Sequence, residues 1–410
     1  FFSPIGAALG RAERRRNAAH YIQGLLLPGE RKSVEPLAER LRVDSQRLQQ
    51  FIADSPWSDE AAWRALAGVV LPHMDPVYAW IVDESGWIKQ GRHSVGVAPQ
   101  YCGAVGKTAN CQVIVSVHVS NGSLSCPLRS RLYLPEKWAQ DARRRKAAGV
   151  PAAVRFVTKP ALALELIRAL VEQGVERAPV LADSAYGDSF EWRRALRELG
   201  LEYLVQVEGE TLQGWTQAPQ PVRRRTRFDY SKVERPQSLA RIVADWGPQL
   251  WKPAHWKDSA KRWHETRLGV APVYCSHGAS QGKAPAPAEY LVVDWPEGKS
   301  QPYHYFLGHF LKPPSLARLL RLGRMRWQIE QNYQRLKTDL GLDHYEGRSW
   351  QGLHHHLVMA AVAYAFVMLE HGRIKKNFWC DVGGDPGADP AVVAAVDRVL
   401  SFLPDLLGRR

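Results

Sequence analysis

Three acidic residues far apart in the chain could do chemistry with metal ions: Asp83, Asp183 and Glu330. Carboxylate oxygens are the hard ligands that Mg²⁺ prefers. Two such ions, about 3.5–4 Å apart, can serve the attacking and the leaving oxygen of a phosphoryl transfer together. Taken singly, an aspartate at a strand end is most often only a turn or cap residue. The three acids together predict a two-metal site for phosphoryl transfer.

The elements that must position these acids follow from the apolar pattern. Residues 78–82 and 178–182 are short apolar segments that predict strands, and each delivers an aspartate at its end. Glu330 lies in a longer stretch, 315–340, that predicts a helix. Two strand ends and a helix can bring distant carboxylates to one place.

The helix that carries Glu330 also presents two cations. Arg326 precedes Glu330 by four residues and Lys337 follows it by seven. At about 100° per residue, the three side chains fall within about 40° of one helix face. A carboxylate flanked by two cations suits a metal ligand beside a phosphate backbone.

Further periodic segments predict the fold class, α/β. Strands are predicted at 112–119, 130–134 and 202–207, with helices at 161–173, 189–199 and 353–370. Strands first, then alternating helices and strands, are typical of α/β layer folds. From 208 to 312 the pattern changes, and Pro, Gly, Trp and Arg become dense. The segments 267–274, 290–294 and 304–307 predict a β-rich insertion there.

The chain is accordingly predicted to contain five regions. They are a helical N-terminal region (1–72), the first part of the core (73–207), the insertion (208–312), a helical part with the third acid (313–375) and a tail (376–410) with a short helix near 391–400. Within the first region, 33–52 has the spacing of a helix-turn-helix. Arg42 stands where its turn would usually have Gly. Generic helical packing and a DNA-reading module remain equal alternatives for this segment.

Charge gives the first indication of a partner. The 410 residues include 55 Lys and Arg against 41 Asp and Glu, a net charge of +14. Residues 129–159 and 221–270 each carry a surplus of seven, so these two segments account for the whole excess. The first includes the cationic run Arg143, Arg144, Arg145 and Lys146. A localised surplus predicts a polyanion-binding surface, with nucleic acid favoured over a membrane.

Composition excludes several classes of protein. With 45% apolar and 23% charged residues, the chain is neither disordered, nor collagenous, nor a disulfide scaffold. Its five cysteines are scattered and predict reduced, mostly buried thiols. The longest apolar run, 357–369, is too short to span a bilayer and predicts a buried helix. No signal peptide is visible, so we expect a cytoplasmic protein.

These motifs resemble those of the DDE transposases of bacterial insertion sequences, in the RNase H-like group with a β-strand insertion. The resemblance covers about residues 30–370. It rests on Asp83-Glu84-Ser85-Gly86 and the following stretch 93–112, on Asp183-Ser184-Ala185-Tyr186-Gly187, on Arg326-x3-Glu330-x6-Lys337, and on the run 341–350. The last spacing is the most specific. The family signature is Tyr-x2-Arg-x3-Glu-x6-Lys, and Gly323 occupies its Tyr position here.

The resemblance implies a fold, a reaction and a set of site residues. It implies an RNase H-like catalytic domain, with a mixed sheet flanked by helices, and Asp83, Asp183 and Glu330 as ligands of two Mg²⁺ or Mn²⁺ ions. Arg326 and Lys337 would contact phosphates of the transposon end. Water would hydrolyse one strand, and the freed 3′-OH would attack target DNA. Synapsis of two ends implies a homodimer on DNA.

Two further groups of residues allow more than one interpretation. The insertion interleaves tryptophans with cations, and Trp256, Lys257 and Trp263 could stack an extruded base and bind its backbone; packing of a small β domain is the alternative. Residues 354–356 are three consecutive histidines, which point about 100° apart on a helix and cannot converge on one ion. We expect them in a helical turn that faces DNA or solvent.

Two other functions compete with a transposase. One is a catalytically inactive, transposase-derived regulator that only binds DNA, which Gly323 keeps open although all three acids are present. The other is a DNA nuclease on the same fold that lacks strand transfer. A strand-transfer assay with variants of the three acids separates these possibilities.

Overall fold

The structure of the protein, a computed structural model, describes residues 1–257 and 262–377. The N-terminal region is helical, as predicted. Its helices are α1 (Phe2–Leu9), α2 (Ala12–Leu26), α3 (Val34–Leu41), α4 (Ser45–Ala53) and α5 (Asp59–Val70). The predicted helix near 391–400 lies outside the described residues.

Strands and helices alternate through the middle of the chain. In order they are β1 (Ala79–Ile88), β2 (Ala98–Cys102), β3 (Lys107–Ser120), β4 (Ser125–Leu132), α6 (Glu136–Gln140), α7 (Ala142–Ala147), α8 (Lys159–Glu172), β5 (Val180–Ala182), α9 (Ser184–Gly187), α10 (Phe190–Glu198) and β6 (Tyr203–Val207). The strand predicted at 130–134 lies earlier, as β4. The other strands and helices predicted in this part are confirmed within a few residues, except at β1.

Most of the regular secondary-structure elements in the region predicted as a β-rich insertion are strands. It contains β7 (Gln213–Trp215), β8 (Val222–Arg223), β9 (Phe228–Asp229), β10 (Gln237–Ser238), α11 (Leu239–Ala244), β11 (Trp251–Lys257), β12 (Trp263–Cys275), β13 (Glu289–Pro296) and β14 (His304–His309). Helices follow as α12 (Leu316–Met325), α13 (Trp327–Thr338) and α14 (Trp350–Asn377). The predicted α/β class with a mixed sheet is confirmed.

The chain divides into two compact units. The first unit comprises Phe1–Tyr78, Asp83–Glu176 and the described chain from Trp327 onwards. The second unit comprises Ala79–Val82 and Arg177–Arg326. Asp83 and Glu330 therefore belong to the first unit, and Asp183 to the second.

In the first unit, β3 is paired on both sides. It runs antiparallel to β2 and to β4. Strand β1 also lies next to β3. Tyr78 N, just before β1, donates to Ser120 O at 2.8 Å, and Lys89 N, just after β1, donates to Asn110 O at 2.9 Å. The last ten residues of β3 are all buried, so both faces of this strand are covered. Such burial explains the run of valines that predicted the strand.

The helix α14 forms much of the core of the first unit. It packs against α2, α4, α5 and β4. Trp350–His371 is long and apolar enough to cross a membrane by length and composition alone, but 89% of its apolar stretch is buried inside the protein. The predicted buried helix is confirmed.

The two helices predicted within 33–52 are present as α3 and α4. Arg42 joins them with φ 54°, the left-handed conformation that favours glycine. Arg42 N donates to Glu39 O at 3.1 Å and Val43 N to Ala38 O at 3.0 Å, which closes the turn. The chain thus makes this turn without Gly, and its DNA-reading role stays a prediction.

The second unit contains a mixed sheet. The first residues of β1 pair in parallel with β5, and β5 pairs in parallel with β6. The next strand, β14, is antiparallel to β6, and β13, β12 and β11 follow in antiparallel order. Strands β11 to β14 therefore continue the sheet of β5 and β6, beginning where Tyr305 faces Val207, whereas β8 and β9 pair only with each other. The helix α12 packs on β5, β6 and β11.

Two of the predicted elements that carry the acids, the strand of Asp83 and the helix of Glu330, have other bounds in the structure. Asp83 does not end its strand, since β1 continues to Ile88 and Ser85, Gly86 and Trp87 are buried in it. The turn signal in Glu84-Ser85-Gly86 is overridden by tertiary contacts such as Trp87 Nε1 donating to Gln112 Oε1 at 3.1 Å.

The predicted helix 315–340 is interrupted. α12 ends at Met325, Arg326 lies in a turn, and α13 begins at Trp327. Gly323, which lowers helix propensity by about 1 kcal/mol relative to Ala, lies just before the interruption. Glu330 and Lys337 share α13 and one face of it, as predicted, whereas Arg326 lies outside that helix, so its predicted place on the same helix face is wrong.

Candidate active site

Asp83 lies in the middle of β1, at the point where the strand changes from fully to partly buried. Trp80, Ile81 and Val82 are completely buried, whereas the Asp83 side chain is half-buried. Its Oδ1 accepts a hydrogen bond from Glu84 N at 2.7 Å. The rigid strand thus presents a partly accessible carboxylate.

Glu330 is an exposed residue in the first turn of α13. A carboxylate at this position interacts favourably with the helix dipole. The buried side of the same helix is formed by Ile329, Asn332, Tyr333 and Leu336. These residues fix how α13 lies on the first unit.

Two side chains of α13 contact the backbone of β1. Tyr333 Oη donates to the carbonyl oxygen of Asp83 at 3.1 Å, and Lys337 Nζ donates to that of Gly86 at 2.8 Å. Burial, together with the charge of Asp83, raises the pKa of Tyr333 well above its ordinary value. Burial also lowers the pKa of Lys337, although Asp343 partly opposes this change. The helix of Glu330 is therefore docked on the strand of Asp83.

Polar side chains on one face of β3 form hydrogen bonds with α13. Ser116 Oγ lies 2.6 Å from Tyr333 Oη, and Ser120 Oγ donates to Gln328 Oε1 at 2.6 Å. Asn332 Nδ2 lies 3.1 Å from His118 Nδ1. Burial lowers the pKa of His118 to about 3, so its ring is neutral near pH 7. These side chains form an uncharged, hydrogen-bonded layer beneath the helix.

In the second unit, Asp183 caps a short helical turn at the end of β5. Its Oδ1 accepts from Ala185 N at 3.1 Å, and its carbonyl oxygen accepts from Gly187 N at 2.8 Å. An Asp cap satisfies backbone donors that the turn would otherwise leave open. A Cβ on Gly187 would lie 1.9 Å from the carbonyl oxygen of Gln206, so only glycine fits there. The half-buried Asp183 is thus held by its own turn.

The turn after Asp183 is anchored to a buried ion pair. Arg193 Nη1 donates to Gly187 O at 2.5 Å, and its Nε donates to Glu289 Oε1 at 2.8 Å. Tyr203 Oη donates to the same carboxylate at 2.6 Å. Burial acts to raise the pKa of Glu289, but Arg193 and then Arg197 outweigh it, so this pKa lies below its ordinary value. Glu289 is therefore a buried carboxylate ion.

The three residues predicted in the insertion lie on the hairpin of β11 and β12. Lys257 faces Trp263 in register, with its Nζ 4.5 Å from the ring centroid. The Trp263 side chain is 66% exposed. Trp256 is half-buried, stacked on His264 at 4.4 Å with the Arg324 guanidinium 4.4 Å from its ring. Packing accounts for Trp256, whereas Trp263 is available to a ligand.

The cationic run 143–146 lies on α7 in the first unit, and its members differ. Arg144 is half-buried over the Trp138 ring at 3.8 Å and donates to Arg92 O at 3.1 Å. Arg145 is also half-buried and donates to Pro151 O at 2.9 Å. Arg143 and Lys146 are exposed. The outer two are therefore better placed for a polyanion.

The predicted signature positions near Glu330 lie in different settings. Arg326 is half-buried in the turn before α13 and belongs to the second unit. Gly323 is on α12, where a Cβ would make ordinary contact with Phe306 at 3.6 Å. A side chain could therefore begin at position 323 without backbone strain.

The predicted metal ligands fit hard cations by chemistry, since all three are carboxylates and Asp83, Asp183 and Glu330 are at least partly accessible. In the described residues, 1–257 and 262–377, no group of three or more His, Cys, Asp or Glu side chains could hold a metal ion. The first unit brings Asp83 and Glu330 onto contacting elements. The three-acid metal site stays a prediction.

The surface position predicted for residues 354–356 is wrong. His354, His355 and His356 are at most 4% exposed. His355 stacks on Trp57 at 3.5 Å, and the Nδ1 of His356 lies 2.8 Å from Tyr21 Oη. Partners in the core satisfy these rings, which explains how polar residues can be buried.

Sequence reasoning missed Tyr333 and the pair Arg193–Glu289. Tyr333 lies on the apolar side of α13 and looks like an ordinary core residue. Arg193 and Glu289 are 96 positions apart and look like two ordinary surface charges in the sequence. The predicted buried thiols are confirmed for Cys102, Cys111, Cys126 and Cys275.

Comparison with known proteins identifies the class of protein. The family model described as DDE superfamily endonuclease matches residues 4–263, more than half of the chain. The chain belongs to this family. The predicted resemblance to DDE transposases and the predicted RNase H-like fold class are both confirmed. The matched residues include Asp83 and Asp183 and end before Glu330.

One relative is a curated protein named "Probable transposase for insertion sequence element IS701" from Microchaete diplosiphon. It is 33% identical to this chain over 181 residues, which are 43% of this chain and 44% of the relative. The chain thus matches less than half the length of that protein.

Proposed function

We propose that the protein is an insertion-sequence transposase that cleaves a strand at a transposon end and joins the freed 3′-OH to target DNA. The observation that carries this proposal is the docking of the Glu330 helix on the strand of Asp83 through Tyr333. Membership of the DDE superfamily of endonucleases supports the same reading. The similarity to a relative named as a probable transposase supports including the joining step in the proposal.

Asp83, Asp183 and Glu330 would hold two Mg²⁺ or Mn²⁺ ions. When bound, the ions would stabilise the charge on the attacking and leaving oxygens of an in-line displacement. In the first step water forms a bond to phosphorus, and the bond to the 3′ oxygen breaks, leaving a 3′-OH and a 5′-phosphate. In the second step that 3′-OH forms a bond to a target phosphorus and displaces the 3′ oxygen there.

DNA would be bound by cations on both units and by an exposed tryptophan on the second. In the second unit Lys257 and Trp263 could pair a phosphate contact with base stacking, which is worth about 1–3 kcal/mol per base. In the first unit Arg143 and Lys146 could contact phosphates. Arg326 and Lys337 are proposed to contact the transposon end, and Lys337 has donors left besides that used for Gly86.

We also propose how the protein assembles on DNA and where in the cell it acts. Joining two transposon ends calls for a homodimer on DNA. A reducing compartment fits the buried free thiols at Cys102, Cys111, Cys126 and Cys275, so we propose the bacterial cytoplasm, in association with the nucleoid.

The test is a combined cleavage and joining assay. Labelled duplexes from both flanks of the coding sequence are incubated with the protein, a target plasmid and Mg²⁺. We expect strand-transfer products that fall at least about 10³-fold in Asp83→Asn, Asp183→Asn and Glu330→Gln, since each removes a charged metal ligand worth several kcal/mol. Glu191→Gln is the matched control, because Glu191 is an exposed acid paired with His277 at 2.8 Å.

Three results would contradict the proposal in different ways. Nicked DNA without joined product would indicate a nuclease. Binding without cleavage in both Mg²⁺ and Mn²⁺ would indicate a regulator. Unchanged activity in the three acid variants would mean that these residues are not the catalytic acids.

A further inference from the structure

The geometry points to Tyr333 as a positioning residue that sets the place of Asp83 relative to Glu330; this inference rests on the proposed function. Tyr333 follows Glu330 by three residues, so the two lie on neighbouring parts of one helix surface. Its hydroxyl reaches the main chain of Asp83 itself. One side chain therefore links the element of one acid to the backbone of the other.

The direction of the hydrogen bonds at Tyr333 is fixed by chemistry. The carbonyl oxygen of Asp83 can only accept, so the single proton of the Tyr333 hydroxyl is donated to it. Ser116 Oγ lies 2.6 Å from the same hydroxyl and must then be its donor. The chain runs from Ser116 on β3, through Tyr333 on α13, to Asp83 on β1. Three elements of the first unit meet at this one hydroxyl.

The Tyr333 ring is held firmly enough to act as a spacer. Its side chain is buried, 7% exposed, and its ring makes an edge-on contact with His118 at 5.4 Å. On the same helix, Asn332 is bound by Ser125 Oγ at 2.7 Å and by Tyr364 Oη at 2.7 Å. The ring cannot shift without breaking its contacts, and the helix keeps the bond from Asn332 to Ser125 Oγ when the Tyr364 hydroxyl is removed.

The consequence concerns the geometry of the acids rather than the chemical step. Mg²⁺ requires near-ideal octahedral coordination, so a small displacement of one carboxylate weakens its binding. A displacement of about 1 Å can cost about 10²-fold in rate. Loss of the Tyr333 hydroxyl removes this hold on the main chain at Asp83 without removing either acid or the ring.

The test compares two Tyr→Phe variants that each remove a hydroxyl from a buried ring, since Tyr333 and Tyr364 are 7% and 6% exposed. Tyr333→Phe deletes the bond to Asp83. Tyr364→Phe deletes a buried bond to Asn332 on the same helix and leaves Asp83 untouched. Urea unfolding of both variants reports any common loss of stability.

Metal binding is measured first, by Mn²⁺ titration followed by electron paramagnetic resonance. For Tyr333→Phe we expect the Mn²⁺ dissociation constant to rise about tenfold, and for Tyr364→Phe less than about twofold, because Asp83 is displaced only in the former. In the cleavage assay, Tyr333→Phe should need about tenfold more Mg²⁺ for half-maximal rate, with DNA affinity unchanged within about twofold. Mn²⁺ should restore part of the rate.

The inference is overturned if Tyr333→Phe binds Mn²⁺ and responds to Mg²⁺ like the unaltered protein, or if Tyr364→Phe shows the same losses. These results leave the proposed function intact, since the unaltered protein still cleaves and joins DNA. Failure of the unaltered protein to cleave, with normal Mn²⁺ binding that Tyr333→Phe weakens, overturns the proposed function and supports the positioning role.

Discussion

Asp83 in the first unit and Asp183 in the second are held by contacts of opposite range. The carbonyl oxygen of Asp83 accepts its hydrogen bond from Tyr333, which lies 250 residues away in the sequence. The turn at Asp183 is closed by Ala185 N and Gly187 N, within five residues. The position of Asp83 therefore depends on how a helix packs on a strand. The position of Asp183 depends on a local turn and on the Arg193 side chain that anchors it.

The largest effect is expected from removing that anchor. Arg193→Met leaves the fully buried Glu289 without its main partner, and breaking a buried pair costs about 3–5 kcal/mol of unfolding free energy. Arg194→Met is the matched control, because the Arg194–Glu198 pair is exposed and should contribute less than about 1 kcal/mol. Urea unfolding measures both. Equal losses would mean that the turn at Asp183 has no special anchor.

The pH dependence of the unfolding free energy of Arg193→Met tests whether Arg193 and Glu289 form an ion pair. Because the pKa of Glu289 is lowered in the folded protein, its contribution is complete above its ordinary value of 4.5 and is lost as the pH falls through the folded pKa. Without Arg193, only Arg197 and Tyr203 oppose the effect of burial, so the folded-state pKa of Glu289 rises and the variant gains less stability from ionisation of this group. The deficit should be largest near pH 7 and shrink below about pH 4.5. A deficit independent of pH would contradict an ion pair.

A smaller effect is expected within the turn itself. Gly187→Ala places a Cβ 1.9 Å from Gln206 O, and such overpacking costs about 1–3 kcal/mol. Gly68→Ala is the control, since Gly68 is an exposed residue of α5 with nothing near its Cβ position, and it should gain about 0.5–1 kcal/mol. Thermal or urea unfolding gives both values. Tolerance of Ala at position 187 would show that the turn is less rigid than its contacts indicate.

The smallest effects concern DNA binding by each unit. Arg143→Gln with Lys146→Gln in the first unit, and Lys252→Gln with Lys257→Gln in the second, each remove two exposed cations. The slope of log affinity against log salt should become shallower by about two for each pair, because about 0.9 counterions are released per phosphate contact. Fluorescence anisotropy at several salt concentrations measures the slopes. A change for only one pair would restrict DNA to that unit.

The difference between local contacts at Asp183 and long-range contacts at Asp83 explains what could be predicted from the sequence. The Asp183 turn was recognisable because its signals are local: an apolar strand, an Asp cap and a nearby Gly. The paired helices α3 and α4 were recognisable from their apolar spacing, even though Arg42 occupies a left-handed turn position. Periodicity likewise predicted most of the strands that build the second unit's sheet.

Other features depend on contacts that no local pattern encodes. Asp83 looked like a strand end because Glu84-Ser85-Gly86 resembles a turn, but packing extends β1 to Ile88. Residues 354–356 looked exposed because histidine is polar, yet backbone and hydroxyl partners from other elements satisfy the rings in the core. Tyr333 and Glu289 acquire their roles only through residues far along the chain. Tertiary structure supplies these partners, so spacing alone could not reveal them.

The proposed metal-dependent cleavage by Asp83, Asp183 and Glu330 is tested most directly by sulfur substitution at the scissile phosphate. The rate of strand cleavage is measured on phosphorothioate and ordinary transposon-end duplexes, in Mg²⁺ and in Mn²⁺. Mn²⁺ accepts sulfur more readily than the harder Mg²⁺. We predict that one sulfur diastereomer is cleaved at least about tenfold more slowly in Mg²⁺ and recovers in Mn²⁺. Equal slowing in both metals, or cleavage that needs neither, would contradict a metal-bound phosphate.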